Sequence, residues 1–375
     1  MYKVGLLKEI KQFEGRVMLS PEGVKVLIRN GIDVFVERSA GEMCGFDDIQ
    51  YERVGATILP TMEKVLQKAE LIVKVQPPQP VEYELLNESH ILISFLNLVH
   101  NADRLKALMD TKTTFFGAEM IQDADGKYPL LMGMSEIAGK MAIHQGANLL
   151  TITEGGKGKL LSGTDNVKPA TVTILGAGKV GRTAAMYACA NGANVNLLGL
   201  KKVQTDELDV NHPNLRIENY TEEKLQELLP QTDILIVAIF SLKHFSKNIF
   251  ITKDMVASME PGSVLIDISI EQANLVETSH ITSLEKPTYI VNNIVHYCVP
   301  NIAATVPLTA SRIITKKIVP FVKLLASNGL KSALIKEPAL LSALSIYKGK
   351  ITNRYAADQH GYEFYNIFEL LELNL

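Results

Sequence analysis

One stretch narrows the fold more than any other: Thr171-Val-Thr-Ile-Leu175, then Gly176-Ala-Gly178-Lys179-Val180-Gly181, then an unbroken helical run Arg182–Ala190. An apolar, β-branched segment enters a turn, and a helix pattern leaves it. Each glycine suits such a turn for its own reason. The first permits the tight reversal, the second lets the backbone approach a pyrophosphate, and the third lets helix and strand pack closely. The helix N-terminus then directs backbone N–H groups at the anion. A plain glycine-rich turn is the alternative, but the strand before, the helix after and further strands downstream argue against it. Gly176, Gly178, Lys179, Val180 and Gly181 are therefore candidate cofactor-binding residues of a Rossmann unit.

The turn lies mid-chain, and 375 residues exceed what one hydrophobic core usually organises, so two domains are expected. Short runs rich in Val, Ile and Leu alternate with helical patterns from the start, which indicates parallel sheet with crossover helices. Strands are expected at 3–7, 33–37, 71–75, 91–96 and 114–118, with a helix after Ser20-Pro21. A long helix is expected to begin at Ser135, capped by its hydroxyl. The glycine-rich segment 154–159 reads as a flexible connection before the second set of strands, at 171–175, 194–198, 234–238, 264–268 and 288–291. After about residue 305 the pattern reads helical with no new sheet, so the tail is expected to pack back on the first unit. The expectation is an α/β protein of two Rossmann-like domains with parallel sheets around a central cleft. Residues 131–305 would form the dinucleotide-binding domain, and 1–130 with 306–375 a discontinuous substrate domain.

Composition excludes several classes of partner. Hydrophobic residues make up 47% and charged residues 21%, an ordinary globular balance, and the net charge of −3 gives no basic footprint for nucleic acid. No apolar run approaches membrane-spanning length, and the N-terminus runs into Val4-Gly5-Leu6-Leu7 with no signal-like region. Cys44, Cys189 and Cys298 are too few and scattered for a disulfide framework or a clustered metal site. A cytoplasmic protein is the expectation.

The second strand of a Rossmann unit commonly ends in a carboxylate that accepts hydrogen bonds from the ribose hydroxyls. Here the strand ends at Gly199, followed by Leu200, Lys201 and Lys202. Losing a carboxylate and gaining cations relieves repulsion of a 2′-phosphate, so either NAD or NADP would be accommodated. A solvated lysine pair is the alternative.

A glycine turn placed after an α/β domain is one of several markers that go together. The others are Lys8-Glu-Ile, Glu14-Gly-Arg-Val17 with Ser20-Pro21, Lys74-Val-Gln-Pro77, Met134-Ser-Glu-Ile-Ala-Gly139, Pro261-Gly-Ser-Val264, and His296-Tyr297 leading to Asn301. With these the chain resembles alanine dehydrogenase and the related nicotinamide nucleotide transhydrogenase alpha subunit over nearly its whole length. The resemblance implies that Arg16 binds a substrate carboxylate and that Lys74 contacts the substrate. It also implies that Ser135, the Ile239 region, the neighbourhood of Glu271 and Asn301 contact the nucleotide, and that the protein forms a homo-oligomer, commonly a hexamer. Physical chemistry agrees: a guanidinium forks a carboxylate, and an ammonium polarises a carbonyl. A surface cation is the alternative for each, although Lys74 interrupts an apolar run.

Against the resemblance, the position of the family's catalytic histidine reads Asn97, which hydrogen-bonds but carries no proton near neutrality. His100 lies three residues on, and reads more simply as an exposed loop histidine. The family's second catalytic position, an aspartate, reads Glu271, and the glycines usual after it are Ala273 and Asn274. The loop Phe240–Phe245 also departs, and its His244 is either a substitute proton donor or a surface histidine. The reading that results is an NAD(P)-dependent oxidoreductase acting on a carboxylate-bearing amino acid, 2-oxo acid or imine, with Lys74, Asn97 and Glu271 catalytic. The alternatives are a nucleotide-binding regulatory homologue without turnover and a transhydrogenase-like nucleotide-binding subunit.

Overall fold

A computed structural model describes residues 1–200, 203, 208–239, 250–271 and 274–372. Its contacts divide the chain into two compact units, Met1–Gly133 with Ala304–Leu375, and Met134–Ala303.

The first unit carries strands β1 (Val4–Leu6), β2 (Val34–Glu37), β3 (Thr57–Leu59), β4 (Leu71–Val73), β5 (Ile91–Ser94) and β6 (Thr114–Gly117). They pair in parallel in the order β3-β2-β1-β4-β5-β6, so the strand order reverses between β1 and β4. Doubly wound sheets bind ligands outside the carboxyl ends of the strands at that reversal, where the flanking connections part to opposite faces. β1, β4 and β5 are buried on both faces, which is why they read as unbroken apolar runs.

The second unit repeats the plan with β7 (Thr171–Leu175), β8 (Asn194–Gly199), β9 (Leu215–Asn219), β10 (Ile234–Val237), β11 (Val264–Asp267), β12 (Thr288–Val291) and β13 (Ile294–Tyr297). Its order is β9-β8-β7-β10-β11-β13-β12, parallel except for β12, with the reversal between β7 and β10. Alternate residues of β10 and β11 enter two different cores: Ile234, Ile236, Val264 and Ile266 join one, and Leu235, Val237 and Leu265 the other.

Two expectations are corrected. The tail does add sheet: β14 (Leu344–Tyr347) pairs antiparallel with β6, and β15 (Lys350–Ile351) with β14. Their turn is Lys348-Gly349, both at positive φ, 47° and 82°, the backbone that a two-residue hairpin demands. Ser135 does not cap a helix either. That helix starts one and a half turns earlier and runs Pro129–Leu149, because Pro129 suits a first turn and Leu130 and Met134 already bury on its inner side.

The tail returns through the long helix Pro307–Asn328, which supplies side chains to the start of the chain. Ser311 Oγ accepts from Val17 N at 2.9 Å, and Thr315 Oγ1 from Ser20 N at 2.7 Å. Ser20 precedes the helix Pro21–Arg29 as expected but makes no side-chain cap to its amides. No described helix is long and apolar enough to cross a membrane.

Candidate active site

The reversal in the first unit is where the chain places its buried charge. Lys74 directly follows β4 and is fully enclosed. Its Nζ donates to both oxygens of Glu82, at 2.5 and 2.6 Å. Glu9 follows β1, the neighbouring strand. One Glu9 oxygen accepts from the amides of Val75 at 2.5 Å and Gln76 at 3.2 Å. The other lies 3.8 Å from Lys74 Nζ and has no hydrogen-bond partner among the described residues.

Arg16, only 3% exposed, donates from Nε at 2.7 Å and Nη2 at 2.5 Å to the two oxygens of Glu14. Gln76 Nε2 also donates to Glu14, at 2.6 Å, which links the arginine to the segment after Lys74. Neither Arg16 nor Lys74 is a surface cation, so that alternative is removed. Charge buried this deeply persists only when paired and hydrogen-bonded.

The carboxyls of Glu14 and Glu9 respond differently. Burial pushes Glu14 up, but the Arg16 guanidinium and Gln76 outweigh it and hold the group below the usual carboxylate range. At Glu9 burial dominates; the Lys74 charge offsets it in part, the Glu14 charge adds to it, and the carboxyl is pushed up to about 7.

Asn97 stands beyond β5, exposed, in the left-handed region at φ 48°, a conformation asparagine tolerates better than most residues. Its amide and that of Leu96 donate to the two oxygens of Glu119, at 2.8 and 3.0 Å. Glu119 is half-buried, and desolvation raises its carboxyl. The backbone at Asn97 is thus clamped, while the residue itself is exposed. His100 is half-buried in the turn Leu98–His100, so the reading as an exposed loop histidine is corrected.

In the second unit the three turn glycines divide their work. Gly176 takes φ 113°, and a Cβ there would collide with the Ala238 carbonyl of β10's exit. A Cβ on Gly181 would overlap the Gly176 carbonyl. Gly178 is exposed, and a Cβ there would meet nothing among the described residues. The outer two glycines serve the chain's own packing, and the middle one leaves room above the start of the helix Lys179–Ala190, with Lys179 and Val180 in its first turn. This is the cradle a dinucleotide pyrophosphate fits.

Ile239, the residue after Ala238, is buried. Its amide donates to Ser269 Oγ at 2.8 Å, and that hydroxyl in turn reaches the Ile239 carbonyl at 2.8 Å. Ser269 N donates to Asp267, whose buried carboxyl is pushed up to about 6 by burial. Glu271 is exposed just beyond, Asn301 sits half-buried at φ 58°, and Ser135 is half-buried within its helix. Gly199 is buried at the end of β8, its carbonyl accepting from Tyr220 N at 2.8 Å. Lys201, Lys202 and His244 lie outside the described residues.

Several residues that build these sites escape sequence reading: Glu82, Gln76, Glu119 and Ser269 look like ordinary polar residues. Glu9 and Glu14 occur in family-like motifs, but nothing in their spacing announces burial.

Two doubly wound units, one with a glycine turn between strand and helix and the other with a buried arginine and lysine at its strand reversal, define an α/β protein with two mostly parallel sheets. The chain belongs to the alanine dehydrogenase/PNT family. Residues 5–138 match the N-terminal domain of that family and 142–354 its C-terminal domain. It is 36% identical over 370 residues to alanine dehydrogenase of Halomonas elongata, covering 98% of this chain and 100% of that one. It is 37% identical to alanine dehydrogenase of Methanococcus maripaludis, covering 95% and 96% respectively. A solved L-alanine dehydrogenase superposes with a TM-score of 0.89 at 33% identity, covering 96% of this chain and 99% of that one.

Proposed function

We propose that the protein is an NAD(P)-dependent oxidoreductase that interconverts an amino acid with its 2-oxo acid or imine. The observation that carries this reading is the enclosure of Arg16 and Lys74 at the strand reversal of the first unit. Burying two cations is costly, and a carboxylate-bearing substrate gives that arrangement a use.

The bound nicotinamide supplies or accepts the hydride. Arg16, its guanidinium plane fixed by Glu14, holds the substrate carboxylate in a forked pair. Lys74 faces the reacting oxygen or nitrogen and stabilises charge that develops there. Asn97, presented by its clamped backbone, orients that atom, and Glu271 stabilises an ammonium or iminium. An imine suits Asn97, because a protonated imine is already electrophilic and needs less acid assistance. Ser135, Gly176, Gly178, Lys179, Val180, Gly181, Ile239 and Asn301 hold the nucleotide. Gly199 with Lys201 and Lys202 admits NADP beside NAD. The first unit is then the substrate domain, and the active form is a homo-oligomer.

The exposed side chains of Asn97 and Glu271 favour a second reading, a nucleotide-binding homologue without turnover. Reduced-cofactor absorbance with a panel of 2-oxo acids, amino acids and amines separates the two. Turnover of pyruvate with ammonium, or of a related pair, is expected. Nucleotide binding with no oxidation or reduction across the panel would overturn the enzyme reading.

A further inference from the structure

Glu9 has no part in the roles assigned so far, yet it sits at the strand reversal with one oxygen committed and one unpartnered. The committed oxygen accepts from the amides of Val75 and Gln76, which fixes the carboxyl beside Lys74. The unpartnered oxygen is buried and 3.8 Å from Lys74 Nζ, whose short hydrogen bonds go to Glu82. The charged groups that act on Glu9 are Lys74 at the end of β4, Glu14 in the loop after β1, and Glu82 in the short helix Pro80–Tyr83. Glu37, at the end of β2, also stands near this charge and accepts from Lys8 N at 2.8 Å.

Glu9, Glu14 and Glu82 oppose two cations, Arg16 and Lys74. Counting these five buried side chains alone, without the exposed Lys11, whose Nζ donates to Gln76 at 3.4 Å, or the half-buried Glu37, the group carries one net negative charge with Glu9 ionised and is neutral with Glu9 protonated. An incoming carboxylate adds a further negative charge to a site of low dielectric, where like charges repel strongly. Glu14 is held ionised by Arg16, and Glu82 takes both oxygens to Lys74, so Glu9 is the carboxyl best placed to give way.

We propose that Glu9 is a positioning residue that takes up one proton when a carboxylate substrate binds, so that affinity for the substrate falls as the solution becomes alkaline. The proton comes from solvent and returns to it on release, so nothing is oxidised or reduced. The closeness of Glu9 to neutrality puts the effect in the physiological range. The proposal rests on the reading of Arg16 and Lys74 as the substrate site.

The test measures pyruvate binding to the complex with reduced cofactor, without ammonium, from about pH 6 to about pH 8.5. Buffers of different ionisation enthalpy report the proton uptake by calorimetry. For the unaltered protein the pyruvate Kd is expected to rise roughly tenfold between about pH 6.5 and pH 8, with proton uptake near neutrality. Glu9→Gln, which keeps an oxygen for the Val75 and Gln76 amides, is expected to flatten that rise and abolish the uptake, and Glu9→Asp to restore both.

An unchanged pH slope in Glu9→Gln, or no proton uptake in the unaltered protein, would overturn the proposal. Infrared difference spectra of the two proteins follow the Glu9 carboxyl without substrate. A protonated-carboxyl band that titrates near neutrality and vanishes in Glu9→Gln supports the proton site, and its absence overturns it. If the band is present but no 2-oxo acid binds, the substrate reading fails while the proton site stands.

Discussion

Arg16 and Lys74 are cations that the first unit encloses and then satisfies with its own carboxylates, so their chemistry depends on partners as much as on identity. Arg16→Lys keeps the charge and loses the fork. It is expected to raise KM for the 2-oxo acid about a hundredfold, roughly 2–3 kcal/mol, with a smaller change in kcat, measured by initial rates. Glu82→Gln leaves the Lys74 ammonium with a weaker partner inside the protein. Its cost is expected at roughly 3 kcal/mol of unfolding free energy in urea melts. Both cations are legible through the motifs of the family resemblance, and Lys74 also because it interrupts an apolar run. Glu82 is not, because only the turn of the chain from β4 into the short helix Pro80–Tyr83 brings it back onto Lys74, and Glu9 is not, because only the pairing of β1 with β4 sets it beside Val75.

At the level of elements, the glycine turn makes opposite predictions for adjacent positions. Gly178→Ala meets nothing among the described residues, so its stability is expected to stay within ~0.5 kcal/mol while the dinucleotide Kd rises at least about tenfold. Gly181→Ala drives a methyl into the Gly176 carbonyl, and is expected to lose roughly 2 kcal/mol or more. Urea melts and cofactor fluorescence titrations read both.

The entrance to β10 gives a test with pH. Asp233 is buried, and Lys157 and Lys159 pair with it at 2.5 and 2.6 Å while Thr171 N at the start of β7 donates to it at 2.7 Å. Burial raises this carboxyl, but the two lysines outweigh that and hold it below the ordinary aspartate range. A lowered carboxyl contributes stability above its unfolded value and loses it as pH falls through the folded one. Asp233→Asn is therefore expected to cost most at neutral pH and progressively less on acidification, in melts at a series of pH values.

The central parallel strands are legible as apolar runs, since burial on both faces leaves no alternation to confuse with helix, whereas β3 and β9, at the sheet edges and partly exposed, carry no such run and escape sequence reading, as does β13. The hairpins are not legible either. β13 follows β12 after Asn292-Asn293, and β15 follows β14 after Lys348-Gly349. In both cases two residues of positive φ do what sequence reading gave to a loop or a helix.

The whole molecule is two compact units, and the second is continuous in sequence while the first is not. A dinucleotide held by the glycine turn is expected to stabilise the second unit by ~2.7 kcal/mol at a hundredfold excess over Kd, seen as a shifted calorimetric transition. The first unit depends on a late segment: the helix Pro307–Asn328 supplies Ser311 and Thr315 to the amides of Val17 and Ser20, one residue and four residues past Arg16. Biosynthesis therefore runs out of order. A growing chain makes Arg16 and Lys74 early, completes its nucleotide unit next, and can seal the first unit only once residues 307–328 have emerged. For that interval the buried cations stand in water beside an unfinished sheet. A ligand of the second unit is therefore expected to be able to assist the newborn protein before any ligand of the first.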